Sequence, residues 1–302
     1  MSASPVVACV GIATLDLVHR VQAFPTRPVK LRAESFAMSL GGMAALAACA
    51  VARLGGSARF LGPIGDDAFG DTLRSRLAEA GVASAMPVVA GATSSHSMVL
   101  VDAAGERIIV NHRGSALAAL PDGLPLDRLA AAAVLADVRW SAGAKAVLEH
   151  ANALGLPTVL DADLGEIEAL RTLVPLARHV IFSEPGFVQW ANVDCDSNAG
   201  RARLRSLCDA GAELAAVTRG ERGVLYANKG EIAGMPAFAV HAVETLGAGD
   251  VFHGAYALAL AEKRDVDAAL RFASAAAAIK CGRSGGLAAL PTRDDVNGLL
   301  AG

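Results

Sequence analysis

Residues 134–139 read Val134-Leu135-Ala136-Asp137-Val138-Arg139, a short apolar run that turns polar as it ends. The pattern recurs at Thr158–Leu160, followed by Asp161 and Asp163, and at Val180–Phe182, followed by Ser183 and Glu184. It recurs again at Leu214–Val217, followed by Thr218 and Arg219. Helical stretches separate the runs. Such alternation predicts parallel βαβ units, hence an open α/β sheet with helices on both faces. Open sheets of this kind bind ligands beyond the carboxyl ends of their strands. The polar residues at these ends are therefore expected to converge on one rim.

Working outward, Val6–Val10 reads as a buried strand that ends at Gly11, with Asp16 beyond it. Gly41-Gly42 precedes an Ala-rich helix that runs to about Leu54. Ala58–Leu61 suits a second strand, and residues 67–80 carry helical spacing. Ser95–Val101 and Arg107–Asn111 read as a hairpin turned by Asp102-Ala103-Ala104-Gly105, with a further strand expected over 31–37. Val224–Ala227 and Glu231–Ala233 suggest a late hairpin, followed by helices over 249–263 and 265–281.

Composition narrows the function classes. The chain has 302 residues, 53% hydrophobic and 19% charged, which is enough for a large buried core. A net charge of -3 and 4% aromatic residues give neither a basic stripe nor a stacking platform for nucleic acid. The N-terminus lacks the basic start of a signal peptide. No uncharged apolar run reaches the ~18 residues of a membrane span. Five cysteines are scattered with no C-x-x-C pair, which argues against a zinc site or disulfide framework and fits a reducing cytoplasm.

The chemistry is concentrated in Glu244-Thr245-Leu246-Gly247-Ala248-Gly249-Asp250-Val251-Phe252-His253-Gly254. Small residues let backbone N–H groups approach an anion closely. A helix start adds unpaired N–H groups and partial positive charge. Asp250 is then an acid or base beside a bound phosphate. The segment lies too late in the chain for a Rossmann loop, and no Gly-Lys-Ser/Thr follows to make a Walker A loop.

This motif resembles the D-T-x-G-A-G-D-x-F signature of the ribokinase-like, PfkB-type carbohydrate kinases. Gly41-Gly42-Met43-Ala44-Ala45 resembles their Gly-Gly helix start, and Thr218-Arg219-Gly220-Glu221-Arg222-Gly223 their T-x-G-x-x-G nucleotide loop. Order and spacing agree over essentially the whole chain. The resemblance implies a ribokinase-like fold with a core over 1–12, 38–92 and 115–302, and a small β-lid over 13–37 and 93–114. It implies a sugar kinase that uses ATP and Mg2+, and leaves open whether a monovalent cation is also needed. Asp250 would take the proton of the sugar hydroxyl. The N–H groups of Ala248, Gly249 and Asp250, after Gly247, would form an anion hole. Thr218, Gly220, Gly223 and Thr245 would hold the nucleotide, while Asp16, Gly41 and Gly42 would hold the sugar.

Three positions depart from the family pattern. Glu244 replaces Asp, Leu46 stands where the Gly-Gly helix usually carries a sugar-binding Asn, and Ser183-Glu184-Pro185-Gly186 replaces N-x-x-E. Glu184 is the residue left to serve Mg2+, through water. The departures put ordinary ribose or fructose recognition in question.

Lys30, Asn111 and Arg139 offer a point charge, an amide and a planar fork, a set able to hold a sulfonate or phosphate. Residues 135–140, 182–186 and 105–111 resemble the sulfofructose kinases, which phosphorylate the 1-hydroxyl of 6-deoxy-6-sulfofructose. In that branch the residues matching Lys30, Asn111 and Arg139 hold the sulfonate. Alternatives are a fructokinase-like or ribokinase-like kinase of a neutral sugar or sugar phosphate, or a nonenzymatic binder of the same fold. An intact Gly247–Asp250 element argues against the last. Consecutive apolar residues at Met98–Val101 and Ile108–Val110 place apolar side chains on both faces of the lid. One face is expected to close over the sugar and the other to meet a second lid in a homodimer.

Overall fold

The computed structural model describes residues 4–119, 124, 126 and 129–302. The first half contains β1 (Val6–Val10), β2 (Thr14–Arg20), β3 (Ser35–Gly41), α1 (Met43–Arg53), β4 (Ser57–Leu61), β5 (Ile64–Gly65) and α2 (Ala68–Glu79). It continues through β6 (Ala83–Ala85), β7 (Val88–Val89), β8 (His96–Val101), β9 (Arg107–His112), β10 (Ala133–Asp137) and α3 (Ser141–Ala153). The second half has β11 (Thr158–Ala162), α4 (Ile167–Leu173), β12 (His179–Ser183), α5 (Glu184–Ala191), α6 (Asn198–Asp209) and β13 (Leu214–Thr218). The hairpin β14 (Val224–Asn228) and β15 (Glu231–Met235) follows, then α7 (Ala248–Ala261), α8 (Val266–Cys281) and α9 (Arg293–Ala301).

The main sheet runs β15-β14-β13-β12-β11-β10-β1-β4-β6. It is parallel from β13 to β6, and β14 and β15 add an antiparallel edge. Its strands are apolar on both faces because both are covered. Val7 and Cys9 of β1 pack towards α1, α7 and α8, while Ala8 and Val10 pack on the opposite side with residues of α3 and α4. The Ala-rich sequence acquires a reason here. A methyl on Gly254 of α7 would overlap the Ala47 backbone of α1, so these helices meet almost backbone to backbone.

A second sheet, β3-β2-β8-β9, stands over the rim. The β8–β9 hairpin expected from sequence is present, antiparallel, with Ser97 opposite Asn111. Two features differ from expectation. The strand expected over 31–37 is β3, four residues later, and ends in Gly41 beside the helix it introduces. Asp16 lies on β2, a strand the sequence reading did not separate from the connection after β1. β2 pairs antiparallel with β3 and parallel with β8, so it is the inner strand that joins them.

Candidate active site

A cleft of about 1510 Å³ lies between the lid sheet and the carboxyl ends of the main-sheet strands. Asp16, Gly41, Gly42, Asn111, Arg139, Gly247 and Asp250 all contribute to its wall. The two early glycines have separate jobs. A methyl on Gly41 would overlap the Asp16 carboxylate. Gly42 caps α1 at φ 98, and a methyl there would overlap the Ile12 carbonyl. The left-handed conformation strains any other residue. Together they bring Asp16 against the start of α1. Burial raises the Asp16 carboxyl above its ordinary range, against a hydrogen bond from Ser97.

At the other end, Gly247 caps α7 with φ 77. The Ala248 N–H is already used, donating to the Thr245 carbonyl at 3.1 Å. That corrects the three-donor anion hole expected from sequence: the Gly249 and Asp250 N–H groups remain, since a first helical turn has no acceptor for them. A methyl built on Gly249 would meet nothing within 4 Å, so open space lies beside these donors.

Asp250 is half-buried at the cleft wall. Burial drives its pKa well above the ordinary carboxylate range, the Asp161 charge adds to the rise, and His253 opposes it. Asp161 itself is raised by burial and by Asp163 and Asp137, against Arg139. His253 Nδ1 donates to the Gly249 carbonyl at 2.7 Å and lies 3.3 Å from Asp161 Oδ2, while Nε2 lies 3.2 Å from the Ile181 carbonyl. Burial lowers the His253 pKa, against its hydrogen bonds to the Gly249 and Ile181 carbonyls and the Asp250 charge. The peptide whose carbonyl it holds is the one that carries the Asp250 N–H.

Asp137 completes the carboxylate cluster. Burial pushes it up to about 6, against hydrogen bonds from the Arg139 and Ala44 N–H groups, the Arg139 charge and the Trp140 N–H. It thereby ties β10 to the first turn of α1. Motif reading missed this residue. The signal was present as a carboxylate inside the otherwise apolar run 134–138.

The three residues expected around an anionic group are not equivalent. Arg139 is exposed on the wall, its Nη2 3.9 Å from Asp163 and its Nε 3.4 Å from Met43 Sδ. Asn111 donates to Ser97 Oγ at 3.0 Å and is also on the wall. Lys30 lies on the exposed connection between β2 and β3 and is not among the wall residues. Arg113, which the sequence offered as a reserve for this pocket, is on the wall, as are Arg20, Arg76 and Arg107, which sequence reading did not place there.

The loop expected to hold nucleotide follows β13. Thr218 Oγ1 donates to the Phe182 carbonyl at 3.2 Å, and Gly220 and Gly223 adopt φ 57 and 73. A methyl on Gly223 would overlap the Met235 carbonyl. Thr245 is exposed on the turn before α7. The residues nearest a Mg2+ role do not fit a direct ligand set. Glu184 has suitable spacing with Cys195 and Asp196, but Arg222 bridges Glu184 and Asp196, and Arg219 pairs with Asp196 at 2.6 Å. Guanidinium groups already neutralise that carboxylate pair.

The pfkB family carbohydrate kinase profile matches residues 5–293. The chain belongs to the pfkB family of carbohydrate kinases. A ribokinase of Haemophilus influenzae is 29% identical, with 94% of this chain and 95% of that protein aligned. A solved structure from Agrobacterium tumefaciens, taken to be a ribokinase, is 36% identical with a TM-score of 0.91, over 99% of this chain and 98% of that one. A Xylella fastidiosa fructokinase solved with bound ATP is 25% identical with a TM-score of 0.81, over 98% of each chain. The ribokinase-like α/β fold expected from the strand rhythm is thus borne out, as is a phosphotransferase with an alcohol acceptor. Among the described residues of this carbohydrate kinase, no helix is long and apolar enough to cross a membrane.

Proposed function

We propose that this carbohydrate kinase transfers the γ-phosphate of ATP to the 1-hydroxyl of a small anionic ketose, with 6-deoxy-6-sulfofructose the first candidate. The observation that carries the reading is one cleft wall shared by Asp250, Asp16, Asn111 and Arg139. Arg20 adds positive charge to that wall and favours an acceptor with negative charge, whereas Arg76, Arg107 and Arg113, also on it, already face Glu79, Glu244 and Glu166. ATP as donor is supported by the fructokinase relative solved with it. In this reading Asp250 takes the hydroxyl proton as the oxygen attacks phosphorus. The Gly249 and Asp250 N–H groups receive charge from the transferring phosphoryl group. Asp16 orients the sugar by accepting hydrogen bonds from its hydroxyls.

Lys30 belongs to the sulfonate set only if lid closure carries it inward, so the anion reading rests on Arg139 and Asn111. The competing substrate is neutral fructose, which the similarity to a fructokinase favours. A turnover panel with MgATP and sulfofructose, fructose, fructose phosphates and ribose tests the choice. The expected result is the highest kcat/KM for sulfofructose. A preference for fructose or ribose would refute the anionic reading and leave a neutral-sugar kinase.

The outer lid face supports a homodimer in a protein we expect in the cytoplasm. Phe36, Met38, Met98, Ile108 and Val110 are all exposed in the single chain, and β9 is exposed along its whole length. A large apolar patch of this kind marks an interface. Val110→Lys is expected to convert the sedimenting species from dimer to monomer. A wild-type chain that sediments as a monomer at high concentration would exclude the lid-to-lid assembly.

A further inference from the structure

Lys280, at the end of α8, is the unusual charge in this molecule. It is 3% exposed, and its Nζ has no hydrogen-bond partner among the described residues. The nearest carboxylate is Glu244, with Oε2 3.8 Å away. A buried ammonium without an opposing charge is costly, so the placement of this pair calls for an account.

Glu244 is a hub. Its carboxylate accepts from the Gly285 N–H at 3.3 Å and faces Arg107 of the lid strand β9 at 3.5 Å. The Val243 and Glu244 N–H groups both donate to the Cys281 carbonyl, at 2.7 and 3.1 Å, one residue beyond Lys280. The turn leading to Gly247 and the α7 N-terminus is therefore fastened to the end of α8 by two backbone bonds and one ion pair. Lys280 also sits where a helix C-terminus favours positive charge. Glu244 is the carboxylate on this turn that could hold a small cation. With Lys280 on one side and Arg107 on the other, its charge is already answered from within the chain. These residues do not fit a bound monovalent cation.

We propose that the Lys280 ammonium is a built-in counter-cation for Glu244, which holds the 243–247 turn in register so that the enzyme needs no added monovalent cation. Its effect on turnover rests on the kinase reading above; its effect on the turn does not. Lys280 reaches the cleft wall, but its proposed action is through Glu244, so it is a positioning residue. Arg107 makes the same hub responsive to the lid, because β9 carries that guanidinium to the carboxylate.

The test compares wild type with Lys280→Met in potassium chloride and in tetramethylammonium chloride of equal ionic strength, reading both melting temperature and phosphoryl transfer. Wild type is expected to give the same melting temperature and the same kcat in both salts. Lys280→Met is expected to lose kcat by roughly 10- to 100-fold in tetramethylammonium, the rate equivalent of one charge-assisted contact. Potassium or ammonium ions are expected to restore part of that loss and to raise the variant's melting temperature selectively.

Wild type activated or stabilised by potassium would overturn the proposal, as would a Lys280→Met variant as active as wild type in tetramethylammonium. If that variant does not fold, the wild-type salt comparison decides alone. A wild type that turns over no sugar in either salt, yet shows the expected melting pattern with its variant, would refute the kinase reading and uphold the counter-cation.

Discussion

The α7 end of the cleft and its lid end are built from different materials. At the α7 end the groups expected to react are backbone N–H donors and a half-buried carboxylate, fixed by a left-handed Gly247, a hydrogen-bonded His253 and two N–H bonds to Cys281. At the lid end the polar groups are long side chains. Asn111 leans on Ser97, the β9 strand carrying Arg107 is exposed throughout, and Arg139, just past β10 of the main sheet, adds an exposed guanidinium across the cleft. Preorganised backbone suits a transition state whose charge must be met without reorganisation. Side chains on a small sheet can be exchanged without disturbing the fold. On the proposed function, the contrast makes reaction and acceptor choice separable in this chain, and each prediction attacks one side of it.

The largest effect is expected at the α7 end. Asp250→Asn removes the base while preserving shape, so kcat should fall on the order of 10³-fold with sugar affinity retained by calorimetry. A loss of affinity with kcat intact would reverse the roles of the two ends.

On the acceptor side of the cleft, just past β10, Arg139→Ala should raise KM for sulfofructose by about 10- to 100-fold, the range of a lost hydrogen bond to a charged group. KM for fructose should change little. Equal changes for both sugars would mean that Arg139 shapes the wall without reading charge.

The smallest expected effect is a shift in pH dependence. Asp250 must be ionised to accept a proton, so activity should rise with pH through its elevated pKa. Asp161 contributes to that elevation, and the two carboxylates titrate as a coupled pair. Asp161→Asn removes the like charge, so the acid limb of kcat/KM should move to lower pH. An unmoved limb would show that Asp161 acts through His253 and packing instead of charge.

How much of this was legible beforehand follows the same division. The centre of the main sheet could be read because β10, β11, β12 and β13 are apolar runs closed by polar residues, a pattern that burial on both faces imposes, whereas the exposed edge strand β6, Ala83-Ser84-Ala85, carries no such pattern. Gly41, Gly42 and Gly247 could be read because close approach and positive φ leave glycine as the workable residue. The lid was harder. In Thr14-Leu15-Asp16-Leu17-Val18-His19-Arg20 the apolar spacing is broken after Leu17, so β2 merged with its connection, and β3 was placed four residues early. Asp137 and Lys280 were hidden for another reason. Their function depends on partners far along the chain, Ala44 for one and Glu244 for the other, and local pattern does not contain such pairs. Lys30 shows the converse, a suitable residue type whose position lies outside the wall.

The open space beside Gly249 has a consequence for how this protein can be improved. Gly249 lies within the first turn of α7 with helical geometry, and alanine there would favour the helix by about 1 kcal/mol. Nothing in the fold would resist the added methyl. In the proposed reaction the methyl would instead stand in the room expected for the incoming phosphoryl group. A screen that rewards heat resistance alone would therefore select against turnover at this residue, and the glycine records a conflict between durability and work.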